Sequence, residues 1–183
     1  MVPSIQIRLN DESATGELAC LIAPCLCPGF LLFLSGDLGA GKTSFARALL
    51  RSLGHTGRVQ SPTFTLVQSY NLSSLDLYHF DFYRFFDAHE WREAGFDELL
   101  GGQAAALVEW PELGGGSLPP PDLELRLEPM AQSTPGHGDS ERLAWLSAHT
   151  ERGTWCLTSI LERLRLGEPA GVFLLEPPQP PSR

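Results

Sequence analysis

Residues Gly36 to Thr43 read Gly-Asp-Leu-Gly-Ala-Gly-Lys-Thr and fit the pattern G-x-x-x-x-G-K-[ST] at each fixed position. The chemistry such a loop offers is phosphate binding. Its glycines let successive backbone N–H groups turn inward around phosphate oxygens, and the positive end of the following helix dipole adds to the field. Lys42 is placed to reach the β and γ phosphates, and the Thr43 hydroxyl to ligate Mg²⁺. Lys42 is also the single lysine among the thirteen Lys and Arg residues, which suits a need for a compact ammonium rather than a planar fork. The competing reading is a chance match in a glycine-rich turn.

A phosphate-binding loop does not choose a reaction. Hydrolysis or transfer also needs a carboxylate to hold Mg²⁺ and a group that positions the nucleophile. Asp81 and Glu109 fall at the ends of predicted strands and are the candidates; the ordinary alternative for each is a solvated strand-end acid. Ser61, Thr63 and Thr65 lie in a segment fixed by Pro62, where NTPases keep a loop that senses the γ-phosphate, and a plain turn into a strand explains them equally well. His79 could orient Asp81 or reach a phosphate, although a histidine packed on a sheet face is the commoner outcome.

These residues need elements to position them. Phe30 to Ser35 is a short apolar run suited to a buried strand, and 42–53 places Phe45, Leu49, Leu50 and Leu53 at helical spacing before Gly54. Strand, glycine loop and helix thus follow in the required order. Upstream, Ile5, Ile7 and Leu9 alternate as a strand, and Asn10, Asp11 or Ser13 caps a helix to about Ala23. Downstream, 64–70 is expected as a strand and 75–82 as another, with Leu77, His79, Asp81 and Tyr83 on one face and Tyr78, Phe80 and Phe82 on the other. Asp87 is expected to cap a helix through Glu90, Trp91 and Ala94, extended by Phe96 to Leu100 and closed at Gly101-Gly102. Ala104 to Val108 delivers Glu109 and Trp110 at its end, where open α/β sheets bind ligands if the strands are parallel. Leu123 to Leu127 alternates as a half-exposed strand, 130–140 is irregular, 141–148 is a further strand, and 153–166 is a helix.

The expected fold is α/β, with a P-loop NTPase-like, mixed and mainly parallel sheet flanked by helices. Residues 1–150 are assigned to a P-loop nucleotide-binding domain, 151–175 to a C-terminal helical extension of the same domain, and 176–183 to a Pro-rich mobile tail. The hydrophobic content of 43% supports a folded core. No apolar run approaches a membrane span and no leader pattern is present, so a cytoplasmic protein is expected. Cys20, Cys25, Cys27 and Cys156 form no C-x-x-C pair and are expected reduced rather than metal-binding. The formal net charge is -9, with twelve Asp or Glu across 76–128 against Arg84, Arg92 and Arg126. Such a surface repels phosphate backbones, so any nucleic-acid role should run through protein partners.

Several stretches together resemble one family. Gly-Asp-Leu-Gly-Ala-Gly-Lys-Thr (36–43), Gly54-His55 with Gly57, Ser-Pro-Thr-Phe-Thr-Leu-Val (61–67), Tyr-His-Phe-Asp-Phe-Tyr-Arg (78–84), Glu90 with Gly95, and Val-Glu-Trp-Pro (108–111) look like TsaE, formerly YjeE. The resemblance runs from about Ser4 to Ala148. It implies an ATP- and Mg²⁺-binding protein that hydrolyses ATP weakly alone and works with TsaB and TsaD to make threonylcarbamoyladenosine in tRNA, touching tRNA only through that complex. It also implies that Asp37, Leu38, Gly39, Ala40, Gly41, Lys42, Thr43 and Ser44 bind ATP, that Thr43 and Glu109 hold Mg²⁺, and that Asp81 is the Walker B-like acid. Trp110 would lie beside the nucleotide, and Glu12 would approach the nucleoside. Ser44 stands where the family usually repeats threonine, Phe64 where tyrosine is common, and Phe82 and Phe85 where leucine is common. Two other classes fit the loop: a small-molecule phosphotransferase, and a nucleotide-dependent interaction module.

Overall fold

The computed structural model describes residues 2–84, 90–100, 102–130, 141–167 and 169–175. In chain order the elements are β1 (Ser4–Leu9), α1 (Glu12–Ile22), β2 (Leu31–Ser35), α2 (Lys42–Ser52), β3 (Val67–Asn71), β4 (Asp76–Asp81), α3 (Glu90–Glu93), α4 (Phe96–Leu100), β5 (Ala105–Glu109), β6 (Leu123–Pro129), β7 (Arg142–Ala148), α5 (Glu151–Arg165) and β8 (Val172–Leu175). The strands form one sheet in the order β3-β4-β5-β2-β6-β7-β1-β8. It is the expected α/β arrangement with a mixed sheet, but not a mainly parallel one: of the seven strand pairings among the described residues three are parallel and four antiparallel, because the strands added outside the β4-β5-β2-β6 centre pair antiparallel. The parallel pairings are β4 with β5, β5 with β2, and β2 with β6; the outer pairings are antiparallel.

Composition explains the division. β5 is buried along its whole length and β2 at all but its last residue, as continuous apolar runs must be when both sheet faces are covered. One face carries the main core, with Leu32, Leu34, Phe45, Leu49 and Leu107. The other carries a smaller aromatic core of Phe33, Phe80, Phe82, Trp91 and Val108. β6 and β7 instead alternate, with Leu123, Leu125 and Leu127 buried and Trp145 40% exposed on the far side. Alternation there reports a sheet with one wet face.

Local chemistry sets the ends. Asp11 is the cap chosen for α1, accepting the Ala14 N–H at 2.8 Å, a contact worth about 1 kcal/mol. Thr150 caps α5 by accepting from Gly153. The buried Asp122 carboxylate accepts the Leu31 N–H at 2.9 Å and the Thr150 hydroxyl at 2.5 Å, joining the starts of β2, β6 and α5.

Two further expectations change. The strand expected over 64–70 begins only at Val67, because Pro62 to Leu66 closes a turn in which Leu66 N–H donates to the Pro62 carbonyl at 2.6 Å and Leu66 takes φ 64. β8 was not expected; its short apolar run, Val-Phe-Leu-Leu, has no alternation to announce it and is recruited by β1. The Asp87 cap, the Gly101 helix end, the irregular 131–140 stretch and the 176–183 tail lie outside the described residues.

Candidate functional site

β2 is the point from which the chain leaves in both directions, with β5 on one side and β6 on the other. In open α/β sheets the crevice at the carboxyl end of such a strand is where ligands bind. The glycine loop fills that position. Gly36 has φ 133, and a Cβ there would collide with the Leu127 carbonyl oxygen on β6, so the loop can start this close to the sheet only without a side chain. Gly41, at φ 105, precedes α2, and a Cβ there would lie 2.8 Å from Arg142 Nε.

Lys42 opens α2 yet is buried. Its Nζ donates to the carbonyls of Gly36 at 2.5 Å and Asp37 at 2.9 Å, and lies 3.8 Å from the centre of the Trp110 ring. Burial pushes its pKa below the ordinary lysine value, against the pull of the Glu109, Glu112, Asp81 and Asp37 carboxylates. Trp110 reaches this position in the left-handed region, φ 57 and ψ 48, an unfavourable backbone for a bulky residue.

The two candidate acids sit opposite one another. Asp81 and Glu109 are register partners on parallel strands, and they are only 3% and 2% exposed. Asp81 Oδ2 accepts the hydroxyls of Ser61 at 2.6 Å and Thr63 at 2.7 Å, and its Oδ1 accepts the Tyr83 N–H at 3.0 Å. Glu109 Oε1 lies 2.8 Å from His79 Nε2. An ionised carboxylate can only accept, so this contact puts the imidazole proton on Nε2. His79 is therefore packed within the sheet, at 0% exposure, and its partner is Glu109 rather than Asp81 or a phosphate. Its Nδ1 is buried and has no hydrogen-bond partner among the described residues.

A cavity of about 340 Å³ joins these groups, with Gly39, Lys42 and Thr43 from the loop, Ser61 and Thr63, Asp81, Glu109 and Trp110 all on its wall. Leu38, Gly41 and Ser44 also line it. Three candidate residues stand apart. Asp37 lines a neighbouring hollow with Glu112 and Pro119. Ala40 is buried and offers only its carbonyl, which accepts Arg142 Nε at 2.9 Å. Glu12, the first residue of α1, accepts the Ser44 hydroxyl at 2.8 Å and so reaches the cavity through that residue. Two lining residues were missed from sequence: Arg142, which arrives from β7 with no motif around it, and Tyr83, whose ring lies 5.1 Å from that of Trp110.

The donor set consists of hard oxygens: the Thr43 hydroxyl and the Glu109 and Asp81 carboxylates. No cluster of three or more His, Cys, Asp or Glu suited to a metal occurs among the described residues. A hydroxyl with one or two carboxylates fits Mg²⁺, which binds through one or two protein oxygens and completes its shell with phosphate and water. Backbone N–H groups, a buried ammonium and two buried acids around one cavity can bind a polyphosphate and act on its terminal group.

Comparison with known proteins agrees in outline. The family model for threonylcarbamoyl adenosine biosynthesis protein TsaE matches residues 9–136. The chain is 43% identical over 121 residues to the tRNA threonylcarbamoyladenosine biosynthesis protein TsaE of Rickettsia felis, covering 66% of this chain and 70% of that protein. It is 43% identical over 118 residues to the protein of the same name from Bacillus subtilis, covering 64% and 73% respectively. The crystal structure of Bacillus subtilis YdiB matches with TM-score 0.74 and 32% identity, over 89% of this chain and 97% of that one.

Proposed function

The chain belongs to the TsaE family of threonylcarbamoyl adenosine biosynthesis proteins, and from that premise we propose that it is a Mg²⁺-dependent ATPase supporting tRNA threonylcarbamoyladenosine formation by acting on a TsaB–TsaD complex. One observation carries the ATPase reading: Lys42, Thr43, Asp81 and Glu109 converge on one cavity at the carboxyl ends of parallel strands. The glycine-loop amides and Lys42 bind the phosphates. Lys42 exchanges its contacts with the Gly36 and Asp37 carbonyls for phosphate oxygens, whose negative charge offsets the burial that lowers its pKa. Thr43 and Glu109 would hold Mg²⁺, and the chemistry the ion would supply there is neutralisation of phosphate charge.

Asp81 orients the attacking water. Its carboxylate is gripped by Ser61 and Thr63, so a γ-phosphate competing for those hydroxyls would change the acid's setting; this is the basis for treating them as a switch. Trp110 confines Lys42 from one side. Residues 1–150 form the ATPase unit and 151–175 extend the same domain, with α5 against β7 and β8 on β1. The excess of acid over base argues for contact with tRNA only through the protein complex. No helix among the described residues is long and apolar enough to cross a membrane; a role in tRNA modification supports the cytoplasm as the proposed site of action.

The test is phosphate release from ATP, measured with and without TsaB and TsaD. Slow release alone and faster release with both partners is expected. Phosphoryl transfer to a small metabolite, with no response to the partners, would replace this reading with the phosphotransferase one.

A further inference from the structure

A second, larger hollow of about 1010 Å³ lies beside the cavity described above and shares Thr43, Ser61 and Thr63 with it. Arg47 and Arg51 of α2, with Arg58 and His55 of the following loop, line it, and among the described residues no Asp or Glu does. In a chain of net charge -9 this concentrates positive charge against the overall balance. The three arginines are exposed and make no ion pair among the described residues; Arg51 donates only to the His55 carbonyl, at 2.8 Å. They are not needed for the α1 side of α2, where Ser44 bonds Glu12 and Ala48 meets Gly16.

The hollow is also lined by Gln68, Ser69, Tyr70 and Asn71, consecutive residues of β3. β3 begins the sheet order and pairs only with β4, so one edge of its backbone has no strand partner among the described residues. Unpaired strand edges accept extended peptides through main-chain hydrogen bonds, with alternate side chains supplying specificity.

We propose that this groove docks an extended, acidic segment of a partner protein, added as a strand to the free edge of β3 with carboxylates at alternate positions paired to Arg47, Arg51 and Arg58. A long polyanion such as RNA fits less well, because it would run from the groove onto the acidic remainder of the surface, whereas a short peptide meets the arginines alone. The occupant would touch the Ser61 to Thr65 segment, so docking would be felt by the groups that grip Asp81. Binding itself is independent of the ATPase assignment and is read without nucleotide, so failure of one leaves the other standing.

The experiment uses the full chain and three dye-labelled probes: a ten-residue peptide alternating Glu and Thr, its Lys-for-Glu counterpart, and a ten-nucleotide RNA. Saturable anisotropy change with the Glu peptide alone is expected, together with slowed amide exchange at 68–71. The double variant Arg47→Glu/Arg51→Glu should weaken binding about tenfold, the size expected when two exposed charge pairs become repulsions. Arg58→Glu, in a loop, repeats the test should the helix variant fold poorly by circular dichroism. Absent binding, unchanged affinity in folded variants, unaltered exchange at β3, or tighter binding of RNA would each overturn the proposal.

Discussion

Asp81 and Glu109 face each other at the ends of neighbouring strands, equally buried, but the surroundings that hold them differ in kind. Asp81 is held by two hydroxyls from a turn that includes a left-handed leucine, and by the Tyr83 N–H just beyond β4. Glu109 is held by His79, which is fully buried within the sheet. Loop hydroxyls can exchange one acceptor for another at small net cost, since both states are hydrogen-bonded. A buried imidazole flanked by strands has no such alternative. Under the proposed function, the difference would give Asp81 a responsive role and Glu109 a fixed one: one acid tuned by the loop, the other held in place by the sheet.

Substitutions can break that contrast. The largest effect is expected for Asp81→Asn, which should lower partner-stimulated phosphate release by roughly 10² or more, the range for loss of a positioned acid or base, while ATP affinity measured by calorimetry stays near the parent value. Glu109→Gln should act through the metal: the Mg²⁺ concentration for half-maximal turnover should rise, and the loss of activity should shrink at high Mg²⁺. If Asp81→Asn moved the Mg²⁺ midpoint more than Glu109→Gln did, the two roles would be exchanged.

His79→Phe is expected to raise the Mg²⁺ midpoint by about tenfold, as loss of a partner behind a metal ligand does. It should also lower stability by about 1–3 kcal/mol in urea unfolding, because Glu109 is left buried and unpaired. His79→Asn, which retains a donor, should recover part of both losses; no recovery would mean that the ring matters only for packing. The smallest effect is expected for Thr63→Ala. Ser61 and the Tyr83 N–H still serve Asp81, so folding should lose no more than about 1 kcal/mol, and turnover should change without a shift in the Mg²⁺ midpoint.

Legibility in the sequence followed the range of each interaction. The glycine loop, its strand and its helix could be read because their signals are local: fixed glycines, an apolar run and a 3.6-residue period. The face assignment of β4 held for the same reason, with Leu77 in the main core and Phe80 and Phe82 in the aromatic one. β3 was placed too early because the turn through Leu66 contains no glycine to mark its positive φ. β8 escaped because its stability comes from pairing with β1, far away in the chain.

What the amino-acid order determined by itself was a glycine loop of the G-x-x-x-x-G-K-[ST] pattern, two acids at strand ends and the periodicities that place them, all properties of segments a few residues long. Only the tertiary structure decided that Asp81 and Glu109 are register partners, that His79 serves Glu109, that Arg142 reaches the loop, and that Arg47, Arg51 and Arg58 share a groove with β3, whose outer edge is unpaired among the described residues. Each of those facts depends on which strands lie side by side. Strand order is settled by burial on both faces of the whole sheet, and no short window of sequence carries it.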